Sequence, residues 1–186
     1  MNLICFDPVG GTSGDMTLAA LFDLGVSVDD VTAALHSTGL DGFEVRFERR
    51  ADETGILCGY CDVVTEPHSR HDHGSGHGHT HGRHLPEILG MIDRGRLAER
   101  AKERARRIFR RLAEAEAAVH GTTVDQVHFH EVGAVDSIVD IVGTCIALEF
   151  LDVETVLCGP LKLGTGTVRC AHGVIPVPAP ATVRLI

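Results

Sequence analysis

The chain has 186 residues, 44% of them hydrophobic, and a formal charge of −9 with its histidines neutral. That is enough apolar content for one sizeable core and short for two, and an acidic surface argues against nucleic acid as a partner. No uninterrupted apolar run approaches the ~20 residues a bilayer crossing needs, the first residues lack the basic start of a secretory signal, and six scattered cysteines make no disulfide framework. The expectation is a soluble cytoplasmic protein with reduced thiols, no membrane partner, and a cation rather than an anion as its natural ligand.

In chain order, Leu3-Ile4-Cys5-Phe6 predicts a buried strand, and the turn that follows carries Gly10, Gly11 and Gly14. A helix through Met16, Leu18, Leu21 and Phe22 then ends at Gly25. Ser27 with Asp30 three residues on resembles a capping box and opens a short helix through Val31 and Leu35. Residues 43–50 and 56–64 predict an antiparallel hairpin across a polar turn. Residues 67–83 are a low-complexity run of His, Gly, Ser and Thr with almost nothing to bury, so it is expected to stay disordered without metal.

From His84 a short helix uses Leu85, Ile88, Leu89 and Ile92, with Gly95 as its stop. A long helix follows, with the apolar stripe Leu97, Ala101, Ala105, Ile108, Leu112, Ala115, Val119. Its arginines, Arg107, Arg110 and Arg111 among them, form a solvated face or the seat of an anionic partner. Residues 155–157 and 167–170 read as strands, and the alternation Pro176, Pro178, Pro180 predicts an extended end to the sequence. The fold class is α/β (α+β): a mixed sheet packed with helices, one compact domain over residues 1–186, and a flexible His-rich insert.

The chemistry concentrates in His128-Phe129-His130-Glu131-Val132-Gly133-Ala134-Val135-Asp136-Ser137-Ile138-Val139-Asp140, which places two imidazoles and three carboxylates in one strand-to-helix passage. On an extended segment His128 and His130 share a face while Phe129 takes the other. On the helix, Asp136 and Asp140 lie four apart and share a face. Imidazole and carboxylate are ligands for borderline transition metals. The insert adds His71, His73, His77, His79 and His81 at His-x-His spacings that bind divalent ions without choosing among them. Such an arm raises the local metal concentration near a structured acceptor.

That acceptor is expected among His128, His130, Asp140 and His172, with Asp7 and Asp15 sharing the cleft because they flank the first strand-to-helix turn. Gly10, Gly11, Thr12, Ser13 and Gly14 expose backbone N–H groups at a helix start and suit a phosphate, although Thr12 or Ser13 capping the helix explains them equally well. Cys58 and Cys61 form a lone CxxC on a strand, which turns them to opposite sides and makes them weak ligands. Cys170 stands beside His172 in an alternating pattern.

Three segments together resemble the LarC nickel-insertion family: the run from His128 to Gly143, the opening Asp7-Pro8-Val9-Gly10-Gly11-Thr12-Ser13-Gly14-Asp15-Met16, and Val168-Arg169-Cys170-Ala171-His172-Gly173-Val174-Ile175-Pro176-Val177-Pro178-Ala179-Pro180-Ala181-Thr182. The resemblance covers the chain from end to end and implies placement of nickel into a pyridinium bisthiocarboxylate mononucleotide, giving the nickel-pincer cofactor of lactate racemase-type enzymes in a CTP-dependent cyclometallation. It corresponds to the N-terminal part of the family. CTP with Mg2+ or Mn2+, and the region implied to hold it and to drive oligomerisation, belong to the part absent from this sequence, so a homo-oligomer is a possible assembly. Glu131 and Asp136 are the expected catalytic carboxylates, Glu131 as acceptor of the ring proton lost when carbon bonds to nickel. Two other readings remain open: a metal-dependent hydrolase using His128, His130 and Asp136 to activate water, and a nickel store whose active part is the histidine arm.

Overall fold

The first strand and first helix are joined by the glycine turn, as the sequence predicts. In the computed structural model, which describes residues 2–65, 82–129, 132–170 and 173–186, strand β1 (Asn2–Phe6) leads through residues 7–13 into helix α1 (Gly14–Asp23). Helix α2 (Val28–His36) starts at the expected cap, where Ser27 Oγ accepts the Asp30 N–H at 3.2 Å. Strands β2 (Phe43–Ala51) and β3 (Leu57–Thr65) pair antiparallel over their whole length. Their turn is tied by Asp52, whose Oδ1 accepts from the backbone of Thr54 at 2.8 Å and of Ile56 at 2.9 Å.

Most of the insert falls at residues 66–81, outside the described residues, but its last part does not behave as loop. Arg83 and His84 form a short strand, β4 (Arg83–His84), before helix α3 (Leu85–Arg94). Helix α4 (Glu99–His120) corrects the expected stripe. The buried positions are Ala101, Ala105, Phe109, Ala113, Ala115 and Ala117, so three of the expected residues lie inside, while Ile108 and Val119 are each 38% exposed. Alanines at the contact let the neighbouring helix approach closely, so the packing face follows the small residues and not the larger apolar ones.

A 3-10 turn (Val124–Gln126) leads to β5 (His128–Phe129), then helix α5 (Val135–Phe150) and strand β6 (Val153–Cys158). Strands β7 (Thr167–Cys170) and β8 (Gly173–Pro176) make a second hairpin. The proline-rich end is not extended throughout: Pro180 opens helix α6 (Pro180–Leu185), where its missing N–H costs nothing because no acceptor precedes it. Among the described residues the strands form four two-stranded sheets, β1 with β6 in parallel and three antiparallel pairs, rather than one continuous sheet. No helix among the described residues is long and apolar enough to cross a membrane.

Apolar side chains from α1 to α5 and from the strands join in one core. Helix α5 lies at its centre, with Val139 and Ala147 fully buried, and Gly143 faces Leu18 of α1 so closely that a methyl group there would stand 3.2 Å from the leucine. That contact brings the N-terminal ends of α1 and α5 together, and with them the acidic residues of both first turns. The outer strand pair is less covered than expected. Leu3 is 51% exposed and Leu157, beside Cys5 in the register, is 49% exposed.

Candidate metal-handling site

Two groups of polar side chains meet the chemistry anticipated for the motif. The first is a pair of histidines. Strand β5 pairs with β4 in antiparallel register, His84 opposite His128 and Arg83 opposite Phe129. Phe129 is buried at 2% exposure, its ring edge-on to Phe109 at 6.4 Å, so the core fixes the strand and turns its neighbour His128 the other way. The His84 and His128 rings then meet edge to face, centroids 4.9 Å apart. His84 Nδ1 donates to the Val127 carbonyl at 3.0 Å. A carbonyl only accepts, so Nδ1 carries the proton, and in the neutral ring Nε2 holds the lone pair a metal would use.

Gly133 packs against the backbone of β4 and β5. Arg83 Nη1 donates to Gly133 O at 2.6 Å, and a methyl group on Gly133 would stand 2.6 Å from Phe129 O and 2.7 Å from Arg83 N. Only glycine admits that backbone approach. Gly82 abuts His128 in the same manner, with 2.6 Å between a would-be methyl group and Nδ1.

The second group is acidic. Asp140 on α5 faces the start of α1, and Asp15 and Asp136 both act on it electrostatically. Burial, then the Asp15 and Asp136 charges, push its carboxyl up to about 7. Asp140 Oδ1 is closed off from solvent and has no hydrogen-bond partner among the described residues. A buried carboxylate oxygen in that condition is satisfied by a proton or by a cation, so the donor chemistry of this corner fits a divalent ion. The two flanking acids are held locally: Ser13 Oγ donates to Asp15, and Asp136 Oδ1 accepts the Ser137 N–H at 2.8 Å.

Asp7 stands apart, at the end of β1 next to β6, where a methyl group on Gly159 would be 3.1 Å from its Oδ1. No described hydrogen bond or ion pair joins it to Asp15 or His128. At the glycine turn, Gly11 takes φ +100°, and neither Thr12 nor Ser13 caps α1 through its side chain. The first-turn N–H groups therefore lack the side-chain acceptor that capping would have supplied. Cys61 is buried and its thiol is pushed up to about 12, first by burial and further by Asp140, Asp15 and Asp62, so without metal it stays a thiol at neutral pH.

His130, Glu131 and His172 lie outside the described residues, as do His71, His73, His77, His79 and His81. Among the described residues no three His, Cys, Asp or Glu side chains are gathered to hold one ion, so Asp7, Asp15, Asp140 and His128 do not converge on a common point. The partner that sequence reasoning missed is His84. It stands at the start of α3, as its spacing suggests, and strand pairing also sets it against His128; the one available signal was its position just after the repetitive run ends.

The family model described as nickel insertion protein matches residues 4–186, and the chain belongs to that family. It is 48% identical over its whole length to the pyridinium-3,5-bisthiocarboxylic acid mononucleotide nickel insertion protein of Akkermansia muciniphila, and 44% identical to the protein of the same name from Geobacillus kaustophilus. A putative nickel insertion protein of Geobacter metallireducens is 47% identical. In each case all of this chain is covered but only 45% of the relative, so the chain spans a little under half the length of these proteins. No solved structure matches.

Proposed function

We propose that this chain is the metal-handling part of a protein that inserts nickel into pyridinium-3,5-bisthiocarboxylic acid mononucleotide, the compound for which the Akkermansia and Geobacillus relatives are named. The observation that carries the reading is the His84–His128 pair, which stands at the foot of the histidine-rich insert with the His84 Nε2 lone pair available. Nickel is the substrate here. The arm collects it, the structured histidines receive it, and the separate acidic corner around Asp140 favours a divalent cation.

The chemistry of the acceptor sets the rest. Thiocarboxylates at ring positions 3 and 5 flank carbon 4, so a nickel ion bound by both sulfurs faces that carbon. Closing the third bond replaces the hydrogen on carbon 4, which leaves as a proton. Glu131 follows His128 by three residues in the sequence and is the proposed acceptor of that proton, with Asp136 in support. The mononucleotide phosphate is assigned to the turn of Gly10, Gly11, Thr12, Ser13 and Gly14, on the strength of the uncapped N–H groups of α1. His130 and His172 complete the proposed ligand set around the histidine pair, and Asp140 is proposed as a separate cation-binding carboxylate in the acidic corner, nitrogen and oxygen donors being labile enough to release the ion. Use of CTP with Mg2+ or Mn2+, and supply of the product to lactate racemase-type enzymes, are the corresponding expectations for the longer protein.

Nickel calorimetry tests the reading on a chain in which residues 66–81 are replaced by a short Gly-Ser linker, leaving β4 intact. One site should remain after the replacement, and His84→Ala with His128→Ala should weaken it by about tenfold or more without altering the far-ultraviolet spectrum. Loss of all binding on removing the insert makes the protein a store. Retention of the site in the double variant removes the histidine pair from the mechanism.

A further inference from the structure

A cleft of about 1040 Å3, bordered by none of the site's histidines or aspartates, lies between α4 and the β1–β6 pair. Consecutive residues Glu154, Thr155 and Val156 all border it. Side chains alternate faces along a strand, so a cleft that touches three in a row runs along the strand's edge. Among the described residues β6 pairs only with β1. Its other edge has no strand among the described residues.

Bare edges on a parallel pair are unusual. Parallel strands occur almost only in sheets of several strands with both faces covered, and an isolated two-stranded sheet is marginal in water. An exposed apolar edge is also a pairing hazard that proteins blunt with charge, proline or a covering element. On β6, Val-Glu-Thr-Val-Leu-Cys, Arg104 donates to the Val153 carbonyl and Glu154 supplies one charge, whereas from Thr155 onward neither a charge nor a covering side chain stands among the described residues.

The opposite wall of the cleft carries Arg107, Arg110 and Arg111 of α4. Arg111 is paired to Glu114 at 3.2 Å, whereas Arg107 and Arg110 have no ion-pair partner among the described residues. Elsewhere on the same helix the arginines are used: Arg100 binds Glu149 and Asp152, and Arg106 binds Asp93 and Glu99. In a chain of net charge −9, two adjacent unpaired guanidiniums over an apolar floor of Phe6, Leu148 and Val156 select an extended, acidic occupant with apolar side chains.

We infer that this cleft receives a strand from the part of the longer family polypeptide that this chain does not span, pairing along β6 and meeting Arg107 and Arg110 with carboxylates. The relatives carry more than half of their length outside the matched part, and a strand tethered in the same polypeptide pairs at high effective concentration without needing a tight intrinsic fit. The paired strand would turn the two-stranded sheet into the interior of a larger one.

The test fuses this chain to the remainder of the Akkermansia muciniphila relative and follows amide hydrogen exchange, a readout in which nickel insertion plays no part. Exchange across Val153–Cys158 should be slower in the fusion than in the chain alone by about tenfold or more, at every concentration. Arg107→Glu with Arg110→Glu should return it to the fast rate while α5 stays protected. Equal exchange in β6 with and without the added polypeptide overturns the inference. So does protection of the chain alone that grows with its concentration, which makes a second copy the occupant. Should the fusion not fold, the natural Akkermansia protein gives the same comparison at its strand aligned with β6, and fast exchange there overturns the inference equally.

Discussion

Gly14 opens α1 directly against Asp140 of α5: a methyl group on Gly14 would stand 2.5 Å from both Cβ and Cγ of the aspartate. The glycine is required here by closeness rather than by φ, and it couples the first glycine turn to the end of the acidic motif. Two segments more than a hundred residues apart in sequence therefore share one corner.

Replacing Gly14 by Ala should destabilise the protein by about 1–3 kcal/mol, the usual cost of overpacking. Asp140→Gly removes the Cβ, the Cγ and the carboxylate that the methyl group would meet, so the double variant should lose clearly less than the sum of the two single losses. Denaturant melts of the four proteins in a double-mutant cycle measure the coupling, and strict additivity would show that the contact is not made.

Asp140 also predicts a pH dependence with a definite sign. Its carboxyl is raised from 3.8 to about 7 in the folded chain, so between those values the folded state holds a proton that the unfolded state has released. Stability from this group is therefore fullest at low pH and is lost as pH rises through 7. Asp140→Asn keeps the neutral shape without the charge. Its melting temperature should exceed that of the parent by a few degrees at pH 8, given about 2–4 °C per kcal/mol for a chain of this size, and the gain should disappear near pH 4. Calorimetric melts across that range, without added metal, give the comparison; an Asn variant that loses stability equally at every pH contradicts it.

The cysteines divide by burial. Cys61 and Cys145 are buried, and burial pushes each thiol up to about 12, while Cys5 and Cys158 are exposed on the β1–β6 pair. At pH 7.5 iodoacetamide should modify Cys5 and Cys158 in the native protein within minutes and reach Cys61 and Cys145 only through unfolding. Peptide mapping against time shows the order. Early labelling of Cys61 would mean that the β3 face over the carboxylates is open.

Much of this arrangement can be read without coordinates because it is local. The capping serine at 27, the hairpin turn at Asp52 and the start of α5 just before Asp136 follow from interactions within a few residues, which is the range that sequence patterns encode. On α4 part of the packing face is set by fit rather than by side-chain size: Ala113 and Ala117 are buried where Ile108 and Val119 are not.

Sequence alone determined the chemical inventory: the histidine-rich insert, the acidic and imidazole run from His128 to Asp140, and the family pattern that spans the chain. Only tertiary structure decided which of these groups meet. His84 joins His128 through a strand of two residues, and Asp140 is left with an unpartnered buried oxygen beside α1. Likewise the opening strand, apolar enough to be read as interior, lies at a half-covered sheet. Each of these depends on contacts between distant segments, whose geometry is set by the packing of the whole core and leaves no short-range trace in the order of residues.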